Sequence, residues 1–429
     1  KSLDTTKYII KENEILTLDN IEKYELISRK DENGRNIRLY SFYNVAFTGH
    51  SEYYPDILFK EEHKKGYILP IKEMTMSMKK KSYYEENGLK YVDNENDSDN
   101  DNNETIYVNE EVYYFIYNTE NYYHFIYDTL PYLYCYLDKK KTNKNLKLLI
   151  NYNKNKDKLL DYVKETYSLL DIQKEDIIFH NKKNKYKKIY LSNSLTHDGL
   201  SNMQPRKEIF DIYDILKTNA LKDYKKDIKY DKIYISRRTW MNKHTDNIGT
   251  DYTTRRKLVN ENELVEKLKI LGFKEIFGEN YSMKEKIRVF NSAKIVIGAI
   301  GGTITNNIFC SSDCRIITLV SPYFLDINYR MKYLLGKSEF IFGKLNSPDD
   351  EIPTNVRVKI VCEEDENYGC ICEVVEKKHD KYLLNICNNN ISFNSDETFK
   401  QILIEEKKFI KLDNGLNSPW RINLDSLKL

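Results

Sequence analysis

Between Lys232 and Leu335 strand-like and helix-like stretches alternate in four steps, which limits this part of the chain to a parallel sheet covered by helices. KIYISRR (Lys232 to Arg238) reads as a strand running into two arginines, and ENELVEKLKILG (Glu261 to Gly272) as a helix with a glycine stop. FKEIF (Phe273 to Phe277) is the next strand, and SMKEKIRVFNSA (Ser282 to Ala293) the next helix, with Glu285 at capping-box distance from Ser282. KIVIGAIGGTITNN (Lys294 to Asn307) then reads as a buried strand, a tight glycine turn and a helix N-terminus. RIITLVS (Arg315 to Ser321) and a closing helix over about 324–335 complete the series.

Ligands of such a sheet collect beyond the C-terminal ends of its strands. Arg237 and Arg238, the turn of Gly301 and Gly302 with Thr303, Thr305 and Asn306 behind it, and Ser321-Pro322 all fall there. Glycines admit backbone amides close to a ligand, a helix N-terminus favours phosphate, and arginine clamps a diphosphate. The plain alternative is a glycine turn that only packs a strand against a helix. The dinucleotide fingerprint GxGxxG and the Walker A loop are both absent, so a nucleotide diphosphate other than NAD or ATP is the better ligand.

Upstream, NLKLLINY, KDKLLDYVKETYSLL, DIIFH and KKIYLSNS alternate in the same way, and a helix is expected from Arg206 to about Leu221. Before them NYYHFIYDTLPYLYCYL (Asn121 to Leu137) reads as a helix with Pro131 inside or ending it. His124 and Asp128 share one face, either as an acid/base pair or as a satisfied core histidine. The first ninety residues read as strands and turns with a solvated run at Lys79, Lys80 and Lys81, and 93–104 is an acidic, disordered insertion. Expected boundaries are an N-terminal Rossmann-like domain over 1–220, a charged linker over 221–231, a C-terminal Rossmann-like domain over 232–345 and a β-rich appendage over 346–429.

The 68 Lys and Arg nearly balance the 66 Asp and Glu, which gives no argument for nucleic acid or a membrane surface as partner. No signal peptide or membrane-spanning run is present, so a cytoplasmic location is expected. The chain begins at Lys1 rather than Met, which leaves room for a leader, an anchor or a further domain upstream. The seven cysteines have no zinc-finger or disulfide-framework spacing and read as reduced thiols.

NYYHFIYDTLPYL, YISRR, RKLVNENELVEKLKILGF and YSMKEKIRVFNSAKIVIGAIGGTITNNIFC, in this order over about Val112 to Leu335, resemble glycosyltransferase family 61. The resemblance implies a GT-B architecture, two Rossmann-like domains facing across a cleft, usually inverting and without metal or cofactor. The family's His and Asp correspond to His124 and Asp128 as catalytic residues, and its arginine to Arg237 or Arg238, with Arg237 preferred because it follows the strand more closely. Arg256, Asn260 and Glu261 match its R-x-L-x-NE, and Glu285 matches the glutamate of its EQI; Arg256, Glu261 and Glu285 join the donor-binding set, although Glu285 can equally be a cap. Many members carry His-Gly-Ala-Gly in the glycine turn, where Ile300 replaces the His and Thr303 the last Gly.

Physically, the acceptor hydroxyl needs a base, for which Asp128 or His124 can serve. The leaving diphosphate needs positive charge, which the arginines and the turn supply. The expected partners are a nucleotide-sugar donor and a glycan or glycoprotein acceptor, with a homo-oligomer left open. A non-catalytic sugar- or nucleotide-binding protein on the same fold is the alternative. The appendage lies outside the resemblance, and the last segment is expected to cross back onto the N-terminal domain.

Overall fold

The structure is a computed structural model that describes residues 8–10, 15–17, 24–32, 34–47, 57–60, 65–68, 89–91, 106–115, 121–150, 159–181, 184–196, 204–224, 230–238, 258–321, 338–345, 357–360, 362–368, 370–387, 401–411 and 420–429. The three-lysine run, the acidic insertion over 93–104, Arg256 and the closing helix over 324–335 lie outside the described residues. One compact unit comprises Lys1–Asp227 with Ser282–Arg288, and a second Ile228–Tyr281 with Val289–Leu429.

In the first unit the strands are β1 (Tyr8–Ile10), β2 (Ile15–Thr17), β3 (Glu25–Ser28), β4 (Ile37–Phe47), β5 (Ile57–Lys60), β6 (Lys65–Ile68), β7 (Leu89–Tyr91), β8 (Ile106–Phe115), β9 (Lys147–Ile150), β10 (Ile177–Phe179) and β11 (Asn184–Ser192). β1 and β7 pair with each other. The others form a nine-stranded sheet in the order β10-β9-β8-β11-β4-β5-β6-β2, with β3 on β4. β10, β9, β8 and β11 run parallel, whereas β4 meets β11 antiparallel. The expectation of a Rossmann-like parallel sheet therefore covers only this half. β2 to β6 extend the same sheet as a wing that is antiparallel apart from the parallel β2–β6 pair, a long-range pairing that local periodicity does not encode. Helix Ile209–Leu221 buries Ile209, Ile212, Tyr213, Leu216 and Ala220, the three-to-four spacing of one apolar face.

The second unit carries β12 (Lys232–Ile235), β13 (Lys274–Ile276), β14 (Ile295–Ala299), β15 (Arg315–Val320) and β16 (Ser338–Phe342), all parallel, in the order β13-β12-β14-β15-β16. β14 and β15 are buried almost throughout, as β-branched runs covered on both faces should be. Helix Glu261–Ile270 starts with two glutamates, ends with two lysines in accord with its dipole, and stops before Gly272, whose φ of +83° suits a residue without Cβ.

Beyond this sheet follow β17 (Lys344–Leu345), β18 (Arg357–Ile360), β19 (Ile371–Lys378), β20 (Lys381–Cys387), β21 (Gln401–Glu405), β22 (Phe409–Lys411) and β23 (Trp420–Arg421). β18 to β22 make an antiparallel sheet around Val358, Cys372, Val374, Tyr382, Leu384 and Phe409. The chain's end, expected on the N-terminal domain, packs instead into the second unit. β23 pairs with β17, and Trp420, 2% exposed, joins Leu258, Leu264, Val265, Leu268 and Ile297 in its core. Asn260 fixes this segment by donating to the Ile422 carbonyl at 2.8 Å and accepting from its amide at 3.1 Å, in the manner of a strand. Among the described residues no helix is long and apolar enough to cross a membrane.

Candidate active site

β8 is the strand at which the first parallel series reverses: the chain goes to β9 on one side and returns as β11 on the other. A ligand crevice belongs at the carboxyl end of such a strand. The helical stretch that follows is not one α-helix, as expected, but a turn of α-helix (Tyr122–His124), a π-helix (Phe125–Thr129), a 3-10 turn (Leu130–Tyr132) and an α-helix (Leu133–Thr142).

Pro131 accounts for the change. It has no N–H and its ring crowds the carbonyl one turn back, so a regular helix cannot continue through it. The Leu130 amide reaches past Ile126 to the Phe125 carbonyl, which leaves the Ile126 carbonyl with neither an α nor a π partner within the helix. The Tyr213 hydroxyl, from helix Ile209–Leu221, supplies that bond at 2.8 Å.

His124 and Asp128 lie on this irregular segment, with Nδ1 2.7 Å from Oδ2. The Asp128 side chain is 1% exposed and that of His124 23%, so the imidazole is the member that meets solvent. Tyr123 stacks on Tyr127 at 5.7 Å and meets the imidazole edge-on. Burial, reinforced by the negative charge of Asp128, pushes the Tyr132 and Tyr213 hydroxyls above their usual range, so both stay neutral beside it.

In the second unit the series reverses between β12 and β14, since β13 lies on one side of β12 and β14 to β16 on the other. Two predicted residues meet there. Arg237, two residues beyond the end of β12, donates through Nη1 to the Ile300 carbonyl, and a Cβ at Gly301 would stand 3.2 Å from the same nitrogen. Arg238 turns elsewhere, to both oxygens of Glu275 at 2.6 and 2.7 Å and to Asn262 at 2.9 Å.

Glu261 is the buttress of this corner. Its Oε1 accepts from the Arg237 amide at 2.8 Å, from the Tyr234 hydroxyl at 2.8 Å and from Ser236 at 3.4 Å. Burial pushes its carboxyl above the ordinary 4.5, against the opposing hydrogen bonds from the Arg237 amide and Tyr234 and the charges of the two arginines. Glu261 and Asn260 thus use one helix start for two tasks, holding Arg237 and holding the C-terminal segment.

Behind the glycine turn Thr303–Phe309 is a seven-residue 3-10 helix, not the expected α-helix. Its β-branched threonines and its asparagines disfavour α-helix, and Asn306 bonds back to the Thr303 carbonyl at 2.8 Å. So short a segment is no helix-dipole anion site. Its polar side chains matter more: Thr305 Oγ1 and Asn307 Nδ2, together with Ser321 Oγ after β15, are buried without a hydrogen-bond partner among the described residues. Asn307 escaped the sequence reasoning, and only its place after the glycine turn signals it. Thr303 itself packs on Gly278, where a Cβ would stand 2.3 Å from Oγ1. Ile300 is 4% exposed and packs against Val320 and Phe340. Gly302 caps the 3-10 helix without a side-chain bond.

Glu285, expected either as a donor-binding residue or as a cap, makes the cap contacts: its carboxylate takes the Ser282 amide and hydroxyl, each at 2.8 Å. Among the described residues no three His, Cys, Asp or Glu side chains are grouped to hold a metal.

The model of the Glycosyltransferase 61 family matches residues 122–317. This stretch, a little under half of the chain, is similar to glycosyltransferase family 61. The family 61 match begins at Tyr122, one residue into the segment that carries His124 and Asp128, and ends inside β15. It takes in Arg237, Glu261 and the glycine turn, and leaves out the antiparallel wing and the C-terminal sheet. The likeness suggests glycosyl transfer as the chemistry, a family in which a sugar donor and an acceptor are the general partners. No curated protein gives a significant match to the chain.

Proposed function

We propose that the chain is an inverting glycosyltransferase that moves a sugar from a nucleotide-diphosphate donor to a hydroxyl of a glycan or protein acceptor without a metal ion. Its two α/β units are the halves of a GT-B enzyme, the first supplying the base and the second the diphosphate site. The carrying observation is Arg237 held against the glycine turn at the switch point of the second sheet. A fixed guanidinium there supplies the positive charge that a metal otherwise brings to a leaving diphosphate. The buried hydroxyl and amide groups of Thr305, Asn307 and Ser321 supply donors for its oxygens; each left unsatisfied costs about 1–3 kcal/mol, which a ligand can return.

In the first unit Asp128 holds Nδ1 of His124, so Nε2 is the atom that takes the acceptor's proton. The acceptor oxygen then attacks the anomeric carbon as the bond to the diphosphate oxygen breaks on the opposite face, which inverts the configuration. Ile300 favours a second reading, a non-catalytic binder, because its side chain is packed away in an apolar cluster where many relatives place a histidine.

A thermal-shift screen against nucleotide sugars and free nucleotides, with and without EDTA, tests the proposal. A rise with one nucleotide diphosphate that survives EDTA and is lost in Arg237→Ala but kept in Arg238→Lys is expected. A rise that EDTA abolishes refutes metal independence. Binding without turnover in the presence of acceptors establishes the second reading, and no shift with any nucleotide refutes the transferase reading.

A further inference from the structure

The 3-10 helix ends at Cys310, whose amide bonds to the Asn307 carbonyl at 3.0 Å, and the chain folds back at once through Ser311, Ser312 and Asp313. The Cys314 amide closes that turn on the Ser311 carbonyl at 3.1 Å. The turn returns the second sulfur to the first: the Cys310 thiol, 3.9 Å from Asn307 Oδ1, also lies within hydrogen-bond reach of the Cys314 sulfur. Cys310 is half-buried, whereas Cys314 is 4% exposed and leads directly into β15. Cys135 and Cys372, both at 0% exposure, offer a reagent nothing.

We propose that Cys310 and Cys314 form a reversible intrachain disulfide that ties the end of the 3-10 helix to the start of β15. The hydrogen bond from Cys310 favours the Cys314 thiolate, the form that attacks sulfur. With a small disulfide as oxidant, the accessible Cys310, as thiolate, displaces one small thiol and forms a mixed disulfide. The Cys314 thiolate then attacks the Cys310 sulfur and displaces the second. Two protein thiols are oxidised, one small disulfide is reduced to two thiols, and the two protons pass to the departing thiolates. The proposal is independent of the transferase reading.

Cleavage after Lys294 and Arg315 releases a peptide in which Cys310 and Cys314 are the only cysteines, and cleavage before Asp313 separates them. The folded protein is equilibrated with oxidised and reduced glutathione, quenched with an alkylating agent and mapped by mass spectrometry. The expected result is a peptide lighter by two hydrogens that resists alkylation, stays joined after the cut before Asp313, and is reversed by dithiothreitol. Cys310→Ser and Cys314→Ser should each abolish it and Cys372→Ser should not. Alkylation of both thiols, or a lasting glutathione adduct on Cys310 beside an alkylated Cys314, overturns the proposal. So does an equal disulfide fraction in the folded and the urea-unfolded chain, because spacing alone then accounts for it.

Discussion

Replacing Trp420 by alanine tests whether the last ten residues are part of the core that holds the candidate diphosphate site. Trp420 is 2% exposed and belongs to the same buried cluster as Leu264, Val265 and Leu268 of helix Glu261–Ile270 and Ile297 of strand β14. Burial of an indole removes roughly 200 Å² from water, about 5 kcal/mol at 25 cal/mol per Å² as an upper bound. Large-to-small substitutions of this kind cost about 3–5 kcal/mol. The backbone bond from the Val259 amide to the Trp420 carbonyl at 2.9 Å remains in the variant, so the loss measures the side chain.

Urea unfolding followed by circular dichroism should show the corresponding fall in midpoint. Hydrogen exchange should show faster exchange over 258–268, the stretch that carries Asn260 and Glu261. Gly343 provides an internal check, because a Cβ there would stand 2.2 Å from the Trp420 ring and 2.7 Å from the Arg421 carbonyl. Gly343→Ala should therefore cost clearly less in the Trp420→Ala background than alone, although the carbonyl contact keeps it from becoming neutral. A Trp420→Ala variant within about 1 kcal/mol of the parent, well below the range for a buried indole, with unchanged exchange over 258–268, refutes the placement.

Three further outcomes follow from the same geometry. Glu261 has a raised carboxyl pKa, so its contribution to stability is full below the ordinary 4.5 and is lost as pH rises through the raised value. The stability of Glu261→Gln relative to the parent should accordingly increase from acid to neutral pH, and a flat difference in paired thermal melts refutes the burial argument. Asp128→Asn should lower turnover by about 10²–10⁴-fold while nucleotide binding in a thermal-shift assay stays unchanged; equal losses of both would make Asp128 a structural residue only. Gly278→Ala drives a methyl group into Thr303 and should weaken nucleotide binding together with a stability loss of about 1–3 kcal/mol, read by titration calorimetry and urea unfolding.

Much of the second unit was legible. Its four-step alternation depends on apolar periodicity and on glycine, capping and charge signals that act within a turn or two of chain, so β12 to β15 and the helices Glu261–Ile270 and Met283–Ser292 fall where the sequence puts them, whereas β16 was not foreseen. The Ser282–Glu285 cap could be read for the same reason. The π-helix at Phe125–Thr129 was half legible: Pro131 announces a break, but only Tyr213, eighty-seven residues from Ile126, decides how the orphaned carbonyl is satisfied.

The α/β character of the chain, the β–α series of the second unit and the residue types gathered at the candidate site were already carried by the sequence, because these depend on neighbours along the chain. The tertiary structure alone decided which arginine meets the glycine turn, since Arg237 and Arg238 are adjacent and differ only in which way β12 turns each guanidinium. It also decided that β2 to β6 extend the nine-stranded sheet and that Trp420 closes the second core. Strand order and side-chain partners separated by more than a hundred residues are set by which buried surfaces match, and no local pattern carries that information.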